Sequence, residues 1–194
     1  MNLPNKLTCF RILLIPIFIL LLAIPCNWTQ LNVLGTYVGV NYFIATLVFI
    51  VASITDFLDG QIARKQKLIT NFGKFADPLA DKMLVMTAFI FLTFINRVPA
   101  WVTAIIVCRE LAVTGLRLLI IENNGTVLAA AYPGKIKTLT QMLSIIILLL
   151  NNIFFNNIHI PMGIILLYVC LFFTIYSGID YFYKNRSVFN DGFK

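Results

Sequence analysis

The run Ile-Leu-Leu-Ile-Pro-Ile-Phe-Ile-Leu-Leu-Leu-Ala-Ile at residues 12 to 24 contains no polar side chain. It belongs to one of six apolar segments, found at roughly 7 to 25, 35 to 58, 79 to 96, 98 to 121, 136 to 155 and 160 to 182. A helix needs about 20 apolar residues to cross a bilayer. The pattern therefore predicts an all-α integral membrane protein, in which one domain, residues 1–194, forms a bundle of six transmembrane helices.

The composition excludes a soluble globular domain. Of the 194 residues, 60% are hydrophobic and 12% are charged, against about 25% charged in ordinary soluble domains. The same numbers exclude a disordered chain, which would be polar and highly charged. The net charge of +7 would suggest nucleic acid as a partner of a soluble protein. In a membrane protein it is more typical of cytoplasmic loops or of a site for anionic substrates, so no nucleic-acid partner is expected.

The basic residues divide unevenly between the two sides of the predicted membrane. The connections after the first, third and fifth segments contain a single basic residue, Arg97. The termini and the other connections carry Lys6, Arg11, Arg64, Lys65, Lys67, Lys74, Arg117, Lys135, Lys137, Lys184, Arg186 and Lys194. Basic loops stay in the cytoplasm. We therefore predict a multi-pass protein of the cell membrane with both termini cytoplasmic.

Four of the eight acidic residues lie within positions 56 to 81. Asp56 and Asp59 are three residues apart at the end of the second segment, and Asp77 and Asp81 are four apart at the start of the third. Each spacing places two carboxylates on one face of a helix. Two antiparallel helices joined around residues 65 to 75 would bring all four carboxylates to the same cytoplasmic level. Hard divalent cations would offset the resulting repulsion.

Other interpretations of these acids remain open. Asp77 could be a helix N-cap followed by Pro78 at the first helical position, and Asp81 could be a first-turn acid facing the helix dipole. The nearby loop lysines could simply pair with the acids. A divalent-cation transporter is an alternative from another functional class, because intramembrane carboxylates also mark ion pathways. Such a protein would want acids near the membrane midplane with few cations beside them.

The segment Asp56-Phe-Leu-Asp-Gly-Gln-Ile-Ala-Arg64, with Gly73, Asp77 and Asp81 beyond it, resembles the CDP-alcohol phosphatidyltransferases. Their pattern is D-x2-D-G-x2-A-R-x8-G-x3-D-x3-D, and every fixed position and gap is matched. The resemblance implies transfer of a phosphatidyl group from a CDP-linked lipid to an alcohol, with release of CMP. It also implies a homodimer in the lipid bilayer, with its active site facing the cytoplasm.

The resemblance implies a role for each motif residue. Two Mg²⁺ or Mn²⁺ ions would be held by Asp56, Asp59, Asp77 and Asp81, and Asp81 would also be the general base. The CDP-lipid would contact Asn5, Thr8, Gly60, Ala63, Arg64 and Gly73, with Arg11 completing an N-terminal Asn-x2-Thr-x2-Arg series. Structural alternatives are helix capping for Asn5 and Thr8, helix packing for Ala63, a turn for Gly73 and an interfacial arginine for Arg64.

A second basic cluster bears on the acceptor. The segments Arg109 to Arg117 and Gly134 to Thr138 look like those of the bacterial branch of the family that uses glycerol 3-phosphate. The resemblance implies that CDP-diacylglycerol and glycerol 3-phosphate are the substrates and that Arg109, Arg117, Lys135 and Lys137 bind the acceptor phosphate. Positive-inside anchoring is the alternative for these residues. Inositol phosphate, serine and phosphatidylglycerol remain alternative acceptors.

Overall fold

The computed structural model describes residues 3–24, 29–33, 35–66, 71–122 and 132–186; within these ranges the side chains at 3–4, 57–66, 71–78, 121–122 and 157 lie outside the description. Six α-helices occupy most of the described chain, which confirms the mostly helical prediction. They are α1 (Leu3–Ala23), α2 (Val40–Gln66), α3 (Asn71–Phe94), α4 (Ala100–Glu122), α5 (Tyr132–Leu149) and α6 (Met162–Lys184).

The prediction of a purely α chain is wrong in one respect, because a β-hairpin connects α1 to α2. Strands β1 (Gln30–Val33) and β2 (Thr36–Gly39) pair antiparallel. Gly35 lies between them with φ 78°, a backbone conformation that favours glycine. The hydropathy windows had placed β2 inside the second apolar segment, since a short strand of mixed polarity has no effect on an average taken over a long window.

Helices α2 and α3 both extend beyond the apolar segments that predicted them. Since α2 continues to Gln66 and α3 begins at Asn71, the connection is shorter than the predicted 65 to 75. Asp77 and Pro78 lie well inside α3, so the N-cap interpretation of Asp77 is wrong. For the same reason Asp81 is not a first-turn acid.

The core of the bundle lies between the helices in the middle of their length. Phe18 of α1 and Phe49 of α2 are fully buried, and their ring centroids are 6.1 Å apart. Fully buried Ala45, Ala52 and Ala88 let neighbouring helices approach closely. Several hydroxyl side chains within the apolar helices are satisfied by the preceding turn: the Ser53 hydroxyl, for example, donates to the Phe49 carbonyl at 2.8 Å.

One end of the bundle, here called the hairpin end, is built from β1–β2 and the α3–α4 and α5–α6 connections. Arg97 donates from Nη1 to the carbonyl oxygens of Leu148 and Leu149, at 2.7 and 2.9 Å, and so caps the end of α5. Asn156 Nδ2 donates to the Thr36 hydroxyl at 2.9 Å, which fixes the hairpin to the α5–α6 connection. The opposite end, called the charged end, carries the ionisable groups discussed below.

Two helices in the described part of the chain are long and apolar enough to cross a membrane, namely Asn5–Ala23 and Met162–Lys184; a shorter apolar helix spans Val40–Asp56. Charged residues within α3, α4 and α5 lower the mean hydropathy of those helices. The membrane character of the fold is therefore supported for two helices. The six-span bundle, its orientation and its organisation as one domain stay predictions.

Candidate active site

The charged end brings α1 and α2 together through a buried ion pair. Arg11 Nη1 lies 2.8 Å from Asp56 Oδ1, and the Arg11 side chain is fully buried. Thr8, one turn before Arg11, is also fully buried, whereas Asn5 is partly exposed. Because α1 begins at Leu3, Thr8 lies beyond the first turn and is not a helix cap. The N-terminal series is thus placed beside the first aspartate of the motif.

A second group surrounds a small cavity between α3, α4 and α5. The cavity has a volume of about 30 Å³, and its polar lining is formed by Asp81, Lys82, Glu110, Lys137 and Gln141, together with Thr138. Apolar side chains such as Val85, Phe89 and Ile106 close its inner wall. The residue predicted as general base and one residue predicted to bind the acceptor phosphate therefore line the same space.

Asp81 connects the cavity to the Arg11–Asp56 pair. It lies close enough to Asp56 and Arg11 for electrostatic interaction, and it interacts in the same way with Lys137 and Glu110. Asp56 and Asp81 repel each other, while Arg11 and Lys137 offset their charge. Groups from α1, α2, α3, α4 and α5 therefore meet around Asp81, as expected for a site that holds both a cation and a phosphate.

The positive charges in the cavity have partners from the protein itself. Lys137 is buried and donates to Glu110 Oε1, and Lys82 donates to the Thr114 hydroxyl. Glu110 also accepts from Arg109 Nη1 at 3.1 Å. Glu110 thus pairs with two cations, of which Lys137 lines the cavity with Asp81.

Arg109 points toward α6 and does not line the cavity. Its Nε donates to the Thr174 carbonyl at 3.1 Å and its Nη2 donates to the Ser177 hydroxyl at 2.7 Å. A Cβ at Gly178 would lie 3.2 Å from Arg109 Cγ, so the glycine provides space for the arginine stem. These contacts make Arg109 a link between α4 and α6, and they give no support to its predicted role at the acceptor phosphate.

The remaining predicted acceptor residues lie apart from the cavity. Arg117 stacks over the Tyr181 ring, with Cζ 5.5 Å from the ring centroid. Lys135 is exposed, and its Nζ lies 6.0 Å from the centroid of the Tyr132 ring. Of the four residues predicted to bind the acceptor phosphate, Lys137 alone is placed beside Asp81.

Six of the predicted site residues belong to the ranges whose side chains the structure does not describe. They are Asp59, Gly60, Ala63, Arg64, Gly73 and Asp77. Their backbones belong to the continuous helices α2 and α3, so positions 56 and 59 share a helix face, as do positions 77 and 81. Among the described side chains no group of three or more His, Cys, Asp or Glu gathers to hold a metal ion. Of the four motif aspartates, Asp56 and Asp81 are the two whose side chains the structure describes.

Sequence reasoning assigned no role to three polar cavity residues, Lys82, Glu110 and Gln141. A glutamate within an apolar segment is costly unless it is paired, and this signal could have singled out Glu110. Lys82 follows Asp81 directly and was left without a role. Nothing in the sequence around Gln141 distinguishes it from other polar residues in apolar helices.

The arrangement defines a class of protein, a helical enzyme with carboxylates and cations gathered at one end of an apolar bundle. The family model described as CDP-alcohol phosphatidyltransferase matches residues 1–176, and the chain belongs to this family. This covers most of the chain, including every motif residue.

Curated relatives resemble the chain over nearly its whole length. A Bacillus subtilis (strain 168) protein is 47% identical over 184 residues, which is 95% of each chain. A Haemophilus influenzae protein is 37% identical over 93% of this chain and 91% of its own, and a Rickettsia typhi protein is 39% identical over 97% of this chain and 99% of its own. All three are named CDP-diacylglycerol–glycerol-3-phosphate 3-phosphatidyltransferase.

Proposed function

We propose that the protein transfers the phosphatidyl group of CDP-diacylglycerol to glycerol 3-phosphate, giving phosphatidylglycerophosphate and CMP. The names of relatives that are up to 47% identical over nearly the full chain support this activity. The structural observation that carries the proposal is that Asp81 and Lys137 line one cavity. That cavity offers a proton acceptor and a cation to an acceptor that has both a hydroxyl and a phosphate.

In the proposed reaction the acceptor hydroxyl oxygen forms a bond to the phosphorus of the phosphatidyl group. The bond from that phosphorus to the oxygen that leaves with CMP breaks, and the Asp81 carboxylate accepts the hydroxyl proton. Lys137 attracts the acceptor phosphate, and Glu110 holds the lysine in place. Arg11 fixes one carboxylate oxygen of Asp56, which orients the other oxygen for binding.

We also propose that Asp56, Asp59, Asp77 and Asp81 hold two Mg²⁺ or Mn²⁺ ions. Carboxylate oxygens are the ligands that these hard cations prefer, and a cation would offset the repulsion between Asp56 and Asp81. When bound, the metal neutralises charge on the phosphates of the CDP-lipid. EDTA is expected to abolish CMP release and added Mg²⁺ to restore it; full activity in EDTA would contradict the proposal.

The remaining predicted roles rest on the family resemblance. They are CDP-lipid binding by Asn5, Thr8, Gly60, Ala63, Arg64 and Gly73, acceptor binding by Arg117 and Lys135, and assembly as a homodimer. Thr8 is supported by its place one turn from Arg11. The dimer is tested by the mass of the purified protein in detergent, measured by light scattering with the detergent contribution subtracted.

A location in the cytoplasmic membrane with six spans is supported by the surface of the bundle. Large apolar side chains are exposed on α1, α4 and α6, for example Leu13, Leu118 and Phe172, and such surfaces require apolar surroundings. The charged end is placed in the cytoplasm, where a phosphorylated, water-soluble acceptor is available. The described motif carboxylates, Asp56 and Asp81, lie at this end, and Lys82 and Lys137 line the same cavity as Asp81, which favours a transferase over a cation transporter.

An acceptor panel tests the proposed function. Purified protein in detergent is supplied with CDP-diacylglycerol, Mg²⁺ and one acceptor at a time, and CMP release is measured. Glycerol 3-phosphate is expected to be the best acceptor, ahead of inositol phosphate, serine, phosphatidylglycerol and plain glycerol. Faster CMP release with any of the others would overturn the acceptor assignment.

A further inference from the structure

Gln141 occupies an unusual position on α5. Its side chain is only 3% exposed, it lines the cavity that contains Asp81 and Lys137, and its Nε2 has no hydrogen-bond partner within the described part of the chain. A buried polar group without a partner is destabilising, because it loses its hydrogen bonds to water and gains none in the protein. Such a group in a folded protein calls for an explanation, and a bound ligand is one.

The polar neighbours of Gln141 are satisfied by the protein. On the same helix, the Thr140 hydroxyl donates to the Ile136 carbonyl at 2.9 Å and the Ser144 hydroxyl donates to the Gly163 carbonyl at 3.0 Å. Lys137, one turn before Gln141 on α5, is paired with Glu110 of α4. Apart from Asp81, which is assigned to the reacting hydroxyl, the Gln141 amide is the polar group of the described cavity wall that is left for a ligand.

The chemistry of the cavity indicates what this ligand group is. The charged side chains of the cavity, Asp81 and Lys137, suit a reacting hydroxyl and a phosphate, so the uncharged Gln141 amide is left for a neutral polar group. An amide is neutral and has both donor and acceptor atoms, and a hydroxyl can pair with either. A neutral partner of this kind complements the charged groups that recognise the phosphate.

We propose that Gln141 binds the second hydroxyl of the acceptor, the one that is not phosphorylated and does not attack. This inference rests on the proposed function and adds a specificity residue to it. The contact would hold the glycerol carbon chain so that its terminal hydroxyl faces Asp81. It would also select a three-carbon acceptor with a middle hydroxyl over one without it, because an acceptor lacking that group leaves the buried amide unsatisfied.

The experiment compares glycerol 3-phosphate with 3-hydroxypropyl phosphate, which lacks the middle hydroxyl, using wild type and Gln141→Met. Methionine matches the length of glutamine without its amide and resembles Met86 and Met142, which already line the cavity. For the wild type, kcat/KM is expected to be about 10- to 100-fold higher with glycerol 3-phosphate. Gln141→Met is expected to lose most of this preference, and its kcat/KM for 3-hydroxypropyl phosphate should stay within about twofold of wild type.

A control variant and a stability measurement separate binding from folding. Ser144→Ala removes a hydrogen bond from the same helix outside the cavity and is expected to keep the wild-type preference. Thermal unfolding of Gln141→Met should occur at the wild-type temperature or higher, since no protein hydrogen bond is lost. Gln141→Leu provides a second apolar replacement if the methionine variant does not fold.

Two results would overturn the proposal. If Gln141→Met lowers kcat/KM equally for both acceptors, Gln141 is a structural residue. If the preference for glycerol 3-phosphate is unchanged, the Gln141 amide binds a trapped water molecule and not the acceptor. Failure of the proposed function is a separate outcome, in which wild type releases no CMP with glycerol 3-phosphate.

Discussion

Lys137 differs from the other predicted acceptor residues in its surroundings. It is buried against Glu110 and lines the cavity with Asp81, whereas Lys135 is exposed and Arg109 contacts α6. The sequence alone could not rank these residues, because a basic side chain near a helix end satisfies both the positive-inside rule and a phosphate site. Their ranking depends on which side chains pack together across helices.

Replacing Lys137 by methionine tests its role at the acceptor. Loss of one charge-assisted contact in a partly buried site costs roughly 1.5 to 3 kcal/mol, so kcat/KM for glycerol 3-phosphate should fall about 10- to 150-fold. The KM for CDP-diacylglycerol should change little. Steady-state kinetics with each substrate varied in turn provide the measurement.

The matched control is Lys184→Met, which removes an exposed lysine paired with Asp180 at 2.8 Å. An exposed i,i+4 pair contributes little to stability, so this variant should keep wild-type kinetics. If Lys137→Met also keeps the wild-type KM for glycerol 3-phosphate, Lys137 is a structural partner of Glu110 and the phosphate assignment is wrong.

At the scale of elements, α5 and α6 approach each other closely at Gly163. The Ser144 hydroxyl donates to the Gly163 carbonyl, and a Cβ at Gly163 would lie 2.8 Å from Leu148 Cδ2 and 3.0 Å from Leu148 Cγ. Gly163→Ala therefore forces Leu148 to move. We expect a loss of roughly 1 to 3 kcal/mol, as is typical when a well-packed contact is overfilled.

Gly115 in α4 is the matched control for this substitution. Nothing lies within 4 Å of a Cβ placed there, and alanine favours a helix over glycine by about 1 kcal/mol. Thermal unfolding in detergent should therefore show a lower Tm for Gly163→Ala and an unchanged or higher Tm for Gly115→Ala. Equal Tm values for the two variants would contradict the proposed packing.

The limits of sequence reasoning are also visible at this scale. Periodicity placed Asp56 beside Asp59 and Asp77 beside Asp81 on α2 and α3, because helical spacing is a local property. The helix ends were misjudged because apolar windows stop where charged residues begin, although the helical backbone continues to Gln66. The Asp77-Pro78 pair looked like a helix start, yet α3 begins at Asn71.

Tertiary features had no local signal. The hairpin Gln30–Gly39 is held by a contact from Asn156 to Thr36, 120 positions away in sequence. The lack of a partner for Gln141 Nε2 depends on which side chains α3 and α4 bring to the same cavity. Features that depend on such distant contacts require the folded arrangement, whereas the metal motif depends on residue spacing and is readable in the chain.

For the whole molecule, the separation of charge between the two ends predicts its orientation in the membrane. Single cysteines are introduced after the four native ones are replaced by serine. Tyr37 and Phe154 are exposed at the hairpin end, so the cysteines of Tyr37→Cys and Phe154→Cys should react with a membrane-impermeant maleimide in intact cells. The cysteine of Lys184→Cys at the charged end should react only after the cells are permeabilised. The opposite pattern would place the site away from cytosolic substrates.

The most direct test of the central claim measures transfer itself. Purified wild type and Asp81→Asn are incubated in detergent with CDP-diacylglycerol, Mg²⁺ and radiolabelled glycerol 3-phosphate, and the label in the lipid phase is compared with the CMP released. We expect equal amounts of labelled lipid and CMP for the wild type. For Asp81→Asn we expect a rate about 10²- to 10⁴-fold lower, with binding of CDP-diacylglycerol largely retained. No label in lipid with wild type, or more than half the wild-type rate with Asp81→Asn, would contradict the proposed transfer reaction.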